Sequence, residues 1–259
     1  MPTAAVQSRR ILGTRVDATS YDAATRKILG WATQGRSCYV CLAAVNNIME
    51  ARKSAAYKAV MEQAELVTSD GMPLVWTLRS LGVSDASRVY GPDLMPAVLE
   101  AAAAAQIPVG FYGGSEMVLV RLLAVVRRRF PAIHIAFAEA PPFRPLTPEE
   151  DEHTIAAIQH SGVRILFVGL GSPKQDRWMY AHTARIPAVM LGVGAAFDFV
   201  AGAKPQAPLW MQRYGLEWSF RLATEPGRLW RRYLKQNPRF LILATAQILR
   251  AQFLHHRTP

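Results

Sequence analysis

Residues 163–202 read VRILFVGLGSPKQDRWMYAHTARIPAVMLGVGAAFDFVAG. An apolar run at 165–168 leads into a turn carrying Gly169, Gly171 and Pro173, and then into a helix-like stretch at 174–183. A second apolar run at 188–193 leads to a second turn, which carries Asp198. The order is strand, loop, helix, strand, loop. Two parallel strands joined by a helix place both loops at one edge of the sheet, and open α/β sheets bind their ligands at that edge.

The same alternation extends outward from this stretch. Apolar runs at 11–16, 39–45, 66–69, 108–112 and 133–138 read as strands. Helical periods fill 21–34, 47–53, 55–63, 72–81, 92–105, 116–130 and 149–160, with Ser20 and Ser115 placed as N-caps. The expected fold is α/β, a mostly parallel sheet flanked by helices. The loop at 82–90 is polar and the one at 141–148 is proline-rich.

Beyond Gly202 the texture changes. Trp210, Tyr214, Trp218, Arg221 and Leu222 recur at helical spacing, and Pro226 and Pro238 are expected to divide this tail into about three helices. The net charge is +11, of which residues 204–259 carry +8. The last helix, expected at 239–256, mixes apolar and cationic residues in the manner of helices that lie on anionic bilayers. The expected division is a catalytic body at 1–203 and a basic helical appendage at 204–259. No apolar run reaches the length of a spanning helix, and no secretory signal pattern is present, so the expected location is cytoplasmic. Cys38 and Cys41 form C-x-x-C within a strand-like stretch. Residues three apart on a strand face opposite ways, so their sulfurs are not expected to meet.

Several stretches carry candidate chemistry. Asp70, with Gly71, ends an apolar strand at the edge where α/β enzymes act. Gly113, Gly114 and Ser115 precede a helix, a seat for a phosphate or a sugar hydroxyl. Gly169, Gly171, Lys174 and Gln175 form the second such turn, and Asp198 can accept from hydroxyls. There is no D-x-D pair to present a divalent ion to a diphosphate. Arg221, Arg228 and Arg231 can meet a diphosphate directly, because guanidinium forks bind phosphate bidentately. Neither glycine turn is G-x-G-x-x-G, which argues against a nicotinamide cofactor.

VTSDGMPLVW (67–76), YGPDLMP (90–96), GFYGGSE (110–116), FVGLGSPKQDRWM (167–179), GVGAAFDFVAG (192–202) and APLWMQRYGLEWSFRLATEPGRLWRRY (207–233) occur in this order. Together they resemble the WecG/TagA/CpsF glycosyltransferases, glycosyltransferase family 26, from about residue 11 to residue 233. The resemblance implies a Rossmann-like body and inverting sugar transfer from a UDP-sugar to an undecaprenyl-diphosphate-linked acceptor. It implies no metal or other cofactor, and an appendage that docks at the cytoplasmic membrane face and completes the site. It maps the catalytic aspartate onto Asp70, functional arginines onto the tail, and the donor pocket onto the turn of Lys174 and Gln175. Family members carry an Asn that here falls on Ala44, with Asn46 two residues later as its candidate replacement.

The expected partners are a UDP-sugar (UDP-glucose, UDP-N-acetylmannosamine or its uronic acid), the lipid-linked acceptor and an anionic membrane surface. A homo-oligomer is compatible with the sequence. Two competing readings are a nucleic-acid-binding module, which the basic tail permits, and an inactive scaffold, which the missing Asn permits. Core-like spacing of the tail tryptophans and the lack of a nucleic-acid motif argue against the first.

Overall fold

A computed structural model describes residues 7–255; the side chains of Arg228, Arg231, Arg232, Leu254 and His255 lie outside its described part. The chain opens with a hairpin, β1 (Ser8–Ile11) and β2 (Thr14–Asp17), where a single strand at 11–16 was expected. Leu12 and Gly13 both take positive φ, of 49° and 87°, which suits a two-residue hairpin turn. The alternating units follow: α1 (Tyr21–Thr33), β3 (Cys38–Ala43), α2 (Val45–Lys53), α3 (Ala55–Gln63), β4 (Leu66–Ser69), α4 (Met72–Ser80) and α5 (Gly91–Ala104). They continue with β5 (Val109–Gly113), α6 (Glu116–Arg129), β6 (Ile135–Glu139), α7 (Pro148–His160), β7 (Ile165–Gly169), α8 (Lys174–His182), β8 (Val189–Gly192) and α9 (Ala196–Val200). Ser20 and Ser115 cap α1 and α6 as their sequence positions required, accepting from the backbone N–H groups of Ala23 and Val118.

The six strands β3 to β8 form one parallel sheet in the order β4-β3-β8-β7-β5-β6. Ile165 of β7 lies opposite Val189 of β8 and Val109 of β5, so the two strands of residues 163–202 form the sheet's centre. Both faces are covered, which is why its strands read as continuous apolar runs. One face packs Cys41, Val67, Leu166 and Met190 under α2, α3 and α8; the other packs Cys38, Leu66, Phe167 and Leu191 under α1, α5 and α6. The two cysteines are therefore free and buried on opposite faces of the sheet. The Cys38 thiol is pushed up to about 12 by burial, which removes any reactive-thiol character.

After α9 come α10 (Leu209–Arg213), α11 (Glu217–Thr224) and α12 (Pro226–His255). Pro226 begins α12, where its missing N–H costs nothing. Pro238 was expected to end a helix but lies inside α12. The helix survives because Leu229 and Tyr233 before the proline, and Phe240 and Ala244 after it, are all buried. Packing of both halves outweighs one lost backbone hydrogen bond. Gln247 adds a polar tie to the hairpin, accepting from Leu12 N at 2.8 Å and donating to Arg10 O at 2.6 Å.

Glycine is obligatory at position 113. Its φ is 125°, and an added Cβ would lie 2.6 Å from the carbonyl carbon of Gly169 on the neighbouring strand. Gly113→Ala is expected to destabilise the fold by about 2 kcal/mol or more, since strained backbone alone costs roughly 1–3 kcal/mol. A shift in the urea-unfolding midpoint checks this.

Candidate active site

Asp70 leaves the end of β4 with its N–H donating to Ala43 O, 2.8 Å away at the end of β3. Its carboxylate Oδ1 accepts from Gly91 N, at the start of α5, at 3.1 Å. Arg88 fixes the same residue from the other side, its Nε donating to Asp70 O at 2.6 Å. The rest of that guanidinium reaches the appendage: it pairs with Glu217 of α11, donates to Gln212 Oε1 at 3.3 Å and lies 3.9 Å over the Tyr90 ring. Burial pushes the Asp70 carboxyl up to about 6; Arg88 pulls it down and Glu217 pushes it up.

Two clefts border on Asp70. The first opens toward the appendage. Asn46, Gly71, Arg88, Trp218, Tyr233 and Gln236 line it. The second runs along the carboxyl edge of the sheet, past Tyr90, Gly171, Ser172, Gln175 and the turn after β8. Ala44, Asn46, Asp70 and Arg221 line both. Burial opposes the charge on Arg221, but Tyr233 and Glu217 outweigh it and hold its pKa above the usual arginine value. Its guanidinium stands 5.6 Å over the Phe199 ring, and its buried Nε has no hydrogen-bond partner among the described residues.

Behind the second cleft lies a polar cluster. Asn47 Oδ1 accepts from Ala44 N at 3.1 Å, while its Nδ2 donates to Tyr57, Ser172 and Asp176 at 2.8, 2.8 and 3.2 Å. Asp176 Oδ2 also accepts from Tyr57 at 2.5 Å and Ser172 at 2.8 Å. Burial raises the Asp176 pKa, and these hydrogen bonds pull it back. The cluster ties Ala44 and the first turn of α2, with Asn46, to the turn of Gly171 and the first turn of α8, with Gln175, so the second cleft has two fixed walls. Gln175 Oε1 accepts from Gly171 N at 3.0 Å. Gly192 leaves room beside it, because an added Cβ would lie 2.9 Å from Gln175 Nε2.

Of the residues singled out in the sequence, Asp70, Gly71, Asn46, Arg221, Gly171 and Gln175 come together at these clefts. Gly113, Gly114 and Gly169 line neither; Gly114 N donates to Gly169 O at 3.2 Å, and the Phe197 ring closes over Gly169. Lys174 borders a separate cleft beside Tyr112, Asp151 and Trp178. Asp198 faces Lys204 at 3.6 Å. Arg228 and Arg231 lie on the first turns of α12, but their side chains fall outside the described residues. Among the described residues, no group of three or more His, Cys, Asp or Glu side chains converges to hold a metal ion.

Sequence reasoning missed Arg88, Glu217, Asn47 and Asp176. One signal was available: Glu217 is one of only two acids in the +8 tail, and an acid isolated in a basic segment calls for an internal partner. Nothing marked Arg88 within its polar loop.

A carboxylate held above its ordinary pKa at the carboxyl edge of a parallel sheet, with two clefts meeting at it, is the layout of an α/β enzyme that brings two ligands together. The chain matches the Glycosyl transferase WecG/TagA/CpsF family over residues 9–253, and it belongs to that family of glycosyltransferases. It is also 31% identical over 204 residues to the N-acetylglucosaminyldiphosphoundecaprenol N-acetyl-beta-D-mannosaminyltransferase of Bacillus spizizenii, covering 78% of this chain and 76% of that one.

The raised Asp70 pKa has a consequence for stability. The folded state binds this proton more tightly than the unfolded chain, so stability falls as pH rises from about 4 through about 6. Asp70→Asn removes that loss. The variant should be more stable than the parent at pH 7 by roughly 1–3 kcal/mol, and the gain should vanish near pH 4. Urea unfolding of both proteins at the two pH values checks this.

Proposed function

We propose that this protein transfers a sugar from a UDP-sugar to undecaprenyl-diphosphate-linked N-acetylglucosamine, with inversion, during assembly of a bacterial cell-surface polysaccharide. The observation that carries the reading is the position of Asp70 between two clefts. A direct displacement needs donor and acceptor on opposite sides of the anomeric carbon and one base beside the attacking hydroxyl. The acceptor oxygen forms the new bond to the anomeric carbon, Asp70 takes its proton, and the bond to the diphosphate breaks with UDP leaving. On this reading Gly171 and Gln175 hold the donor in the second cleft, while Lys174, Asp198, Gly113 and Gly114, the other donor candidates in the sequence, line neither cleft and are left without a donor contact. The acceptor enters from the appendage side. Its identity follows the activity for which the Bacillus relative is named. The donor is UDP-N-acetylmannosamine, its uronic acid or UDP-glucose.

Charge on the departing diphosphate falls to Arg221, whose Nε is unspent, with Arg228 and Arg231 joining it. On this reading the reaction requires no metal ion. The catalytic body spans 1–203 and the appendage 204–259. That appendage exposes Leu209, Trp210, Tyr214, Leu241, Ile242 and Phe253 beside the exposed cations Arg213, Arg239 and Arg250. Such a surface suits the interface of an anionic bilayer, and peripheral attachment at the cytoplasmic face follows. Among the described residues no helix is long and apolar enough to cross a membrane.

UDP release from full-length protein, in detergent with a short-chain lipid-diphosphate N-acetylglucosamine and a panel of UDP-sugars, tests the reading. Asp70→Asn should lose at least about 100-fold in turnover while retaining UDP binding, because an amide cannot take the proton. Turnover of the parent should rise with pH through about 6, the value of its carboxyl. EDTA should leave the rate unchanged; loss on chelation with rescue by magnesium would overturn the metal-free assignment. Arg221, Arg228 and Arg231 changed together to Ala should still sediment with anionic vesicles but fail to transfer. A triple variant that transfers normally would reduce the appendage to a tether.

A further inference from the structure

The first cleft contains an unpaired acceptor that the reaction above does not use. Gln236 lies on α12 and lines the wall of the cleft next to Asn237, and its buried Oε1 has no hydrogen-bond partner among the described residues. Gln212, the other glutamine of this wall, is already engaged: its Nε2 donates to Ala207 O at 2.8 Å and its Oε1 accepts from Arg88. A buried carbonyl oxygen left unpaired is costly, so its occurrence in a cleft calls for a ligand that donates to it.

The chemistry of that ligand can be narrowed. A diphosphate has no proton to donate at neutral pH and would face both this oxygen and the Glu217 carboxylate. A lipid chain would leave the oxygen unpaired. A sugar ring offers hydroxyl or amide donors on its rim and apolar C–H groups on its faces. The opposite requirement is present in the same cleft, where Trp218 packs edge-on against Tyr233 with ring centroids 6.2 Å apart and presents an aromatic wall. The diphosphate is left to the border with Arg221.

We infer that the first cleft is the subsite for the acceptor's sugar ring, and that Gln236 selects that sugar by accepting from one of its hydroxyl or acetamido donors. This rests on the reading of the protein as a transferase to a lipid-diphosphate sugar. Gln236 then acts as a specificity residue rather than a catalytic one.

The test uses full-length protein, detergent and short-chain lipid-diphosphate N-acetylglucosamine, together with analogues that each lack one donor group but keep the attacked hydroxyl. Gln236→Met preserves length and removes the acceptor oxygen. Its KM for the parent acceptor should rise about tenfold, the effect of one lost hydrogen bond to a buried group, with the KM for the UDP-sugar unchanged. The parent protein should lose a similar factor on one analogue, and on that analogue the variant should lose nothing further. Gln236→Glu, which keeps an acceptor oxygen, should restore most of the acceptor affinity and guards against a simple folding defect. An unchanged acceptor KM, an equal rise in the UDP-sugar KM, or the same penalty on every analogue would overturn the subsite. A parent protein that releases no UDP with any acceptor would overturn the functional reading and the subsite with it. Transfer by the parent beside an unaffected Gln236→Met variant would overturn the subsite alone.

Discussion

The buried guanidinium of Arg88 is the contact on which the site depends. It holds the backbone oxygen of Asp70, the carboxylate of Glu217, the amide of Gln212 and the face of Tyr90. These groups come from the end of β4, from α11 and α10, and from the loop before α5, so one side chain joins the sheet edge to the appendage. Arg88 and Glu217 are 15% and 13% exposed, which places the pair in a poorly hydrated setting. Removing either partner of such a pair leaves an uncompensated charge, typically at a cost of about 3–5 kcal/mol. The first cleft has α11 and α12 as a wall; this pair holds α11 at the sheet edge, and the buried face of α12 holds the rest.

The same pair tunes Asp70. Arg88 alone would lower its pKa and weaken it in its proposed role as a base. Burial and Glu217 push the other way, and the balance falls at about 6. Relative to an ordinary aspartate that is a gain of about two units in basicity, while most molecules remain ionised at neutral pH. A base is most effective when its pKa lies near the working pH. Neutralising Arg88 with Glu217 holds the backbone of Asp70 by a cation without surrendering the basicity of its side chain.

The sequence was legible where local chemistry decides local structure. The apolar runs at 165–168 and 188–193, the capping serines Ser20 and Ser115, and the opposite facing of Cys38 and Cys41 each depend on a few adjacent residues. Pro238 was misread because its local signal is genuine, but Phe240 and Ala244 pack on elements distant in sequence and override it. The hairpin turn at Leu12 and Gly13 was hidden by a leucine in a conformation that usually calls for glycine or asparagine. Within the site, Asp70 could be found because it ends a strand. The contacts that place it could not: Arg88 meets Glu217 across 129 residues, and Asn47 meets Asp176 across the same separation. Glycine turns were equally ambiguous in sequence. Gly171 borders a cleft, whereas Gly113 and Gly169 use their lack of a side chain to let two strands and a phenylalanine ring close together.

Helix α12 has a buried face and an exposed face. Phe240 and Ala244 are buried against the body, while Leu241 and Ile242, one and two positions on from Phe240, are exposed. Gln236 and Asn237, one turn earlier, face the first cleft. Gln236, Phe240 and Ala244, spaced four apart, share one face of this helix, so the packing that buries the last two also holds Gln236 at the cleft. A lipid-linked acceptor is anchored at one end and must react at the other, so its reactive hydroxyl is confined to a shell above the membrane. On the proposed reading, an exposed face that meets the bilayer and a cleft that receives the sugar, both on one helix, would set the height of Asp70 within that shell. This arrangement would also supply part of the orientation that a displacement reaction requires before any bond changes.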